Sequence, residues 1–239
     1  MPQSKSHLRV KSQTKTSQQN KEIIIAIDGP AGAGKSTVAK LIAQKLGFFY
    51  IDTGALYRAL TLKAKRLNLN LKDEKSISDL LKKTNIGLEY DKNNLRVTLD
   101  GEDISKEIRK PYVTDGVSDV AKIKEVREIM TTLQRKLAEN NNSVLEGRDI
   151  GTVVFPNAQY KFFLDADFNE RVNRRFKELE EKKENINMEL VANDLSTRDK
   201  IDSTRKIAPL KKAEDAIYID TTNLSIEEVV NKVISWIKI

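Results

Sequence analysis

The chain has 239 residues, 39% hydrophobic and 32% charged, with a net charge of +7, no cysteine and one histidine, His7. A chain of this length can bury one sizeable core, or one core with a smaller appendage. The composition excludes disulfides, thiolate zinc sites, cysteine nucleophiles, Ser-His-Asp hydrolysis and histidine-rich metal sites.

No apolar run approaches the roughly 18–20 residues that span a bilayer, so a cytoplasmic protein without membrane contact is expected. Any catalysis must use carboxylates, lysine, arginine, hydroxyls, backbone N–H groups or a metal ion. Residues 1–21 hold Lys5, Arg9, Lys11, Lys15 and Lys21 and no acid, so the rest of the chain is nearly balanced. The excess charge therefore sits in a tail, and stable nucleic-acid binding by the body is not expected. The tail is rich in Ser, Thr, Gln and Lys and is expected to be disordered. A transit peptide is the weaker reading, because Leu8 and Val10 alone make a poor amphipathic face.

From residue 22 the pattern is that of alternating strands and helices. The run "EIIIAID" (22–28) is continuously apolar, as in a strand covered on both faces. A helix is predicted from about Ser36 to Leu46, with Val38, Leu41, Ile42 and Leu46 on one face and Gly47 at its end. "FFYI" (48–51) is a short strand, and residues 55–67 are helical, with Leu56, Leu60 and Leu67 apolar. "SISDLLKK" (76–83) is a short helix. "IGLEY" (86–90) and "LRVTL" (95–99) flank "DKNN" and read as a β-hairpin, placed in an inserted subdomain of about 84–110. Residues 117–139 form one long helix or a helix pair. "SVLEG" (143–147) and "YKFFLDA" (160–166) are further buried strands, and 167–200 is charged and helical. "AIYID" (216–220) is the fifth core strand. The last segment is an amphipathic helix opened by a Ser225/Glu228 capping box, with Trp236 on its apolar side. The fold class is α/β: a P-loop fold with a five-stranded parallel sheet covered by helices, and a small inserted subdomain. Residues 22–239 are read as one domain.

The chemistry starts at "GPAGAGKST" (29–37). Gly29, four residues, then Gly34-Lys35-Ser36 fit the P-loop pattern in its proper context, after a buried strand and before a helix. Gly29, Pro30, Ala31, Gly32, Ala33, Gly34, Lys35, Ser36 and Thr37 would cradle the phosphates of ATP with backbone N–H groups and the helix dipole. Lys35 would neutralise the β/γ-phosphates, and the Ser36 hydroxyl would ligate Mg²⁺.

Three clusters bear on the acceptor. "DTGALYR" (52–58) places Thr53 and Arg58 where the second strand ends. "EGRDIGTVVFP" (146–156) does the same for Arg148 and Asp149. "STRDKIDSTRK" (196–206) follows a helix carrying Arg171, Arg174 and Arg175, a spacing that suggests a lid, about 167–205, delivering arginine to phosphates. Each cluster alone is equally a solvated or structural charge group. Jointly they suit an acceptor that is itself a phosphate monoester, already dianionic at neutral pH and needing no general base. Such a reaction needs relief of repulsion between polyanions, which arginines, Lys35 and Mg²⁺ supply.

The stretches "IAIDGPAGAGKST", "YIDTGALYRAL", "EGRDIGTVVFP" and "IAPL" resemble those of the bacterial cytidylate kinases, across roughly residues 22–239. "LDGEDISKEIR" (99–109) resembles the insert that marks those enzymes among the nucleoside monophosphate kinases. The resemblance implies transfer of a phosphoryl group from ATP to CMP or dCMP by a monomeric enzyme. It implies that Arg58, Arg148 and Arg205 hold the acceptor phosphate, with Lys35, Arg148 and Arg205 catalytic. Ser118, Arg127 and Asp149 would read the cytosine with Thr53 nearby, and Asp202 would bond the ribose. Cytosine offers an amine donor that a carboxylate can accept, whereas uracil offers an acceptor. Two departures stand out. Glu146 replaces the frequent Asp of "DGRD" and is assigned to the outer shell of Mg²⁺, and 198–205 carries Ile201, Ser203 and Thr204 where relatives are denser in Arg and Asp. The rival readings are a P-loop kinase of a small alcohol, which would need a carboxylate base, and an RNA-binding protein.

Overall fold

A computed structural model describes residues 22–91, 94–181 and 187–239. The tail, two residues of the "DKNN" turn and residues 182–186 of the charged helical stretch lie outside the described residues.

In chain order the elements are β1 (Ile24–Asp28), α1 (Lys35–Leu46), β2 (Phe49–Asp52), α2 (Thr53–Arg66), α3 (Glu74–Lys82), β3 (Ile86–Asp91) and β4 (Asn94–Leu99). Then come β5 (Glu102–Asp103), a 3₁₀ turn (Glu107–Arg109), α4 (Pro111–Thr114), α5 (Val117–Ala121) and α6 (Lys124–Ala138). The remainder is β6 (Ser143–Gly147), a π-helical turn (Ile150–Val154), β7 (Tyr160–Asp165), α7 (Phe168–Glu181), α8 (Met188–Thr204), β8 (Ile217–Asp220) and α9 (Ile226–Ile234). Two compact units result: Glu22–Asp52 with Ala138–Ile239, and Thr53–Leu137.

The first unit is built on a five-stranded sheet of order β2-β6-β1-β7-β8 with every pairing parallel. These are the five strands expected from the apolar runs. β1 lies at the centre and all five of its residues are buried. That explains its unbroken apolar run, since a strand covered on both faces has no solvent side to alternate with. Burying a side chain such as Ile25 or Ile27 contributes roughly 1.5–3 kcal/mol before chain entropy is counted. β1 is flanked by β6 on one side and β7 on the other. The loop that leaves its carboxyl end therefore opens where ligands bind in open α/β sheets. α1 ends at Gly47, whose φ of 68° lets Phe48 N–H return to the Ala43 carbonyl. α9 has the expected capping box, with Ser225 and Glu228 bonded reciprocally. Its buried stripe is Val229, Val230 and Val233. Trp236, expected on that stripe, is instead 54% exposed. The helix stops at Ile234, so the apolar face is not continued to residue 236.

The second unit gathers its helices and a three-stranded antiparallel sheet, β3-β4-β5, around Leu56, Leu60, Ile77, Ile104, Ile108 and Met130. The hairpin of β3 and β4 is as expected, and its register runs from Ile86↔Leu99. β5 is an addition: Asp100 and Gly101 both have positive φ, 50° and 92°, and connect Leu99 to its partner Glu102. That is the Asp-Gly two-residue hairpin loop. Residues 117–139 resolve into a helix pair, α5 and α6. Leu67, expected on an apolar helix face, is 54% exposed. It follows the last turn of α2, where Asn68 (φ 54°) bonds to Lys65 O and Leu69 to Ala64 O. This paired closure of the helix end turns Leu67 outward.

Candidate functional site

The loop between β1 and α1 has its shape from three glycines. Gly29 has φ 149°, and a Cβ there would sit 1.9 Å from the Leu164 carbonyl oxygen at the end of β7. Gly32 and Gly34 have φ 79° and 82°, a region that costs any other L-residue energy. Lys35 opens α1, is buried, and donates from Nζ to Pro30 O at 2.6 Å, so it lies across the loop that precedes it. Burial, reinforced by the nearby positive charge of Arg148, lowers its pKa to about 7. The next two residues, Ser36 and Thr37, are exposed at the start of the helix.

Ser36 Oγ donates to Glu146 Oε1 at 2.7 Å, and the Tyr50 hydroxyl reaches the same oxygen at 3.4 Å. The parallel register of β2 and β6 sets Glu146 opposite Asp52, and both are buried. Hydroxyl and carboxylate oxygens suit a hard cation such as Mg²⁺. Among the described residues there is no cluster of three or more His, Cys, Asp or Glu side chains able to hold a metal.

Asp28 was not singled out from the sequence, yet it organises the next loop. It is 4% exposed and accepts from the N–H groups of Ile150 and Gly151 at 2.8 and 2.7 Å. Burial pushes its pKa up to about 7, against the pull of those two N–H groups. The segment it holds is the π-helical turn, which closes through Val154 N to Asp149 O and Phe155 N to Ile150 O. The signal in the sequence was an acid ending an otherwise apolar strand.

Arg148 and Asp149 leave the carboxyl end of β6 as expected, and Asp202 and Arg205 come to them from α8 and its cap. Arg148 Nε donates to Asp202 Oδ2 at 2.9 Å. Arg205 Nη1 donates to Asp202 Oδ1 at 3.4 Å, and Arg205 Nη2 lies 3.7 Å from Asp149 Oδ1. One carboxylate thus holds two guanidinium groups, and a second carboxylate flanks the pair. Burial alone would lower the pKa of Arg148, but Asp202, Glu146 and Asp199 outweigh it and the net shift is upward. Arg205 is further aimed by Nε donating to the Ala208 carbonyl at 2.6 Å. Ala208 itself has φ 49°, a strained conformation for alanine.

The other expected residues belong to the Thr53–Leu137 unit. Thr53 is buried at the first position of α2, and Arg58 is half-buried one turn further on. Ser118 is half-buried on α5. Arg127 on α6 is buried; its Nη1 donates to Ala121 O at 3.2 Å and its guanidinium lies 5.6 Å from the centre of the Tyr57 ring. It thereby joins α6 to the end of α5 and to α2.

The arginines of α7 bond to groups of their own unit. Arg174 donates to the hydroxyl and carbonyl of Thr221 at 3.0 and 2.6 Å, and Arg175 to Glu178 at 2.7 Å. Arg171 is buried and bonded to the carbonyls of Ala31 and Ala166.

A phosphate cradle between a central buried strand and its helix, with arginines at the end of the neighbouring parallel strand, defines a P-loop α/β protein. The model of the family described as "Cytidylate kinase" matches residues 25–239. The cytidylate kinase of Caldanaerobacter subterraneus subsp. tengcongensis is 54% identical over 219 residues, 92% of this chain and 96% of that one. Those of Clostridioides difficile and Bacillus subtilis are 51% and 47% identical, covering 91% of this chain and 99% and 97% of theirs. Among solved structures, a gluconokinase from Sinorhizobium meliloti superposes over 90% of each chain at 13% identity, with a TM-score of 0.46. The chain belongs to the cytidylate kinase family.

Proposed function

We propose that the protein transfers the γ-phosphoryl group of ATP to CMP or dCMP, giving ADP and CDP or dCDP. Beside family membership, the observation that supports this is the group formed by Arg148, Asp202, Arg205 and Asp149 in the same unit as the cradle. An oxygen of the acceptor phosphate attacks the γ-phosphorus while the bond to the β,γ-bridging oxygen breaks, and the electron pair leaves with ADP. A dianionic acceptor and a tetra-anionic donor become two trianions, so no proton need be moved and no base is required. Arg148 and Arg205 bind the acceptor phosphate and offset the charge on the moving phosphoryl group. Asp202 keeps the two guanidinium groups oriented and offers its carboxylate to ribose hydroxyls. Lys35 spans donor and transferred phosphoryl, and backbone N–H groups of 29–37 bind the donor phosphates.

Mg²⁺ would supply charge neutralisation at the donor phosphates. Ser36 would hold it, with Glu146 orienting the Ser36 hydroxyl by accepting its hydrogen bond. Thr53, Arg58, Ser118 and Arg127 keep the acceptor-binding roles that the resemblance implies, and so does Asp149. The inserted subdomain at about 84–110 and the lid remain part of this reading. The lid is best supported at α8, whose Asp202 and Arg205 reach the group at the end of β6. Among the described residues no helix is long and apolar enough to cross a membrane. A monomer acting in the cytoplasm on small nucleotides is the reading adopted. A coupled assay of ADP release with CMP, dCMP, UMP and AMP tests the function. Turnover with CMP and dCMP well above the others is expected, and a strong preference for AMP or UMP would sink the assignment.

A further inference from the structure

One buried guanidinium on α7 is committed to the backbone of the phosphate cradle and not to a ligand. Arg171 Nη1 donates to the Ala31 carbonyl at 3.0 Å, and Nε donates to Ala166 O at 3.1 Å, where β7 passes into α7. The guanidinium carbon lies 5.3 Å from the centre of the Phe168 ring. The backbone of the same residue is the floor beneath the loop: a Cβ on Gly32 would stand 3.0 Å from both Arg171 Cβ and Arg171 O. One hydrogen bond and one close backbone approach therefore set the loop beside this residue.

The consequence follows from the planarity of the peptide bond. In a trans peptide the C=O of one residue and the N–H of the next point to opposite sides. Pinning the Ala31 carbonyl to Arg171 turns the Gly32 N–H away from α7. A cradle works only when its N–H groups converge while its carbonyls face elsewhere. Glycine at 32, with φ 79°, is free to let this peptide rotate, so the orientation has to be imposed from outside the loop.

Arg171 is in turn fixed by α8. The same Nη1 donates to Asp199 Oδ2 at 2.5 Å, and the side chain of Arg171 is 9% exposed against 23% for Asp199. Among the described residues Asp199 Oδ1, which is buried, accepts no hydrogen bond, and Oδ2 accepts from Arg171. Asp199 lies one helical turn before Asp202.

We propose that Arg171 is a positioning residue for donor binding: it holds the Ala31–Gly32 peptide in the orientation that accepts phosphate, and Asp199 holds Arg171 in place. The inference rests on reading 29–37 as the donor cradle. It is tested on the full chain with Arg171→Lys, Asp199→Asn and the double variant. Affinity for MgATP is measured by calorimetry without acceptor, KM is measured for ATP and for CMP, and folding is checked by thermal denaturation. Arg171→Lys keeps the charge but loses the forked geometry, and should weaken ATP about tenfold, as for one charge-assisted hydrogen bond. Asp199→Asn should weaken ATP by about threefold to tenfold although it touches no loop atom. KM for CMP should stay within about twofold, and the double variant should lose less than the product of the single effects.

A folded Asp199→Asn protein that binds ATP as the wild type does would overturn the proposal, as would equal weakening of ATP and CMP. If Arg171→Lys does not fold, Asp199→Asn decides alone. A wild-type protein that binds no ATP would instead defeat the reading of the cradle itself.

Discussion

Replacing Arg148 with alanine removes one of the two guanidinium groups that share Asp202. In the wild type the Asp202 side chain, 10% exposed, is bonded by Arg148 at 2.9 Å and by Arg205 at 3.4 Å. The variant keeps the longer contact and loses the shorter one. Two effects of different size are expected. Asp202 retains a cationic neighbour, so the stability loss should stay within about 1.5–3 kcal/mol, the range for one hydrogen bond to a charged group. For a protein of this size that corresponds to a fall in Tm of roughly 3–12 °C. On the proposed role of Arg148, beside the charge that develops in the transition state, turnover should fall much further, by about 10²–10³. The Arg148 side chain is 26% exposed, so solvent cannot fully replace it. Steady-state kinetics with saturating ATP and CMP, read beside a thermal melt, separate the two effects. A kcat within about threefold of wild type, with the Tm drop present, would refute the reasoning and make Arg148 a structural residue only.

Gly29→Ala should not be tolerated as a mild change, since its Cβ would lie 1.9 Å from the Leu164 carbonyl oxygen. Loss of ATP binding by calorimetry, or failure to fold, is expected, and retained binding would mean that β7 yields. Asp28 predicts a pH dependence of stability. Its folded pKa of about 7 lies above the ordinary 3.8 because burial disfavours the carboxylate, with Asp149 adding to the rise and Lys35 opposing it. A raised folded pKa means that its stabilising contribution is complete below about pH 4 and is lost as pH rises through about 7. Urea midpoints of the wild type relative to Asp28→Asn should therefore fall between pH 5 and pH 8, and parallel pH profiles would show that Asp28 does not titrate there. Ser225→Ala breaks the capping box of α9 and should cost about 1 kcal/mol, or a few degrees in Tm, with kcat unchanged.

The glycine-rich loop, the five parallel strands and the capping box were legible because each is a local pattern. Continuous apolar runs mark strands covered on both faces, and Gly-x-x-x-x-Gly-Lys-Ser carries its own backbone requirement. Arg148, Asp149, Asp202 and Arg205 were each named, but 54 residues separate Arg148 from Asp202. Spacing along the chain says nothing about a bond between them. β5 escaped notice because a two-residue strand of two acids has no apolar pattern, though Asp100-Gly101 signals its turn. Trp236 and Leu67 misled for the opposite reason: their spacing continues an apolar stripe, but the helix ends before the stripe does.

The sequence by itself determined a glycine-rich loop after the first strand, a parallel sheet, and a chain without cysteine in which arginine-bearing clusters follow the strands. Only the tertiary structure decided which partners those arginines take. Arg148 and Arg205 share the Asp202 carboxylate, whereas Arg171 donates to Asp199 and the Ala31 and Ala166 carbonyls, and Arg174 to Glu170 and Thr221. The physical reason is that a guanidinium acts by what its N–H groups point at. For Arg148, Arg171 and Arg174 the partners include groups on other elements, brought near by the packing of the sheet and not by neighbourhood in the chain.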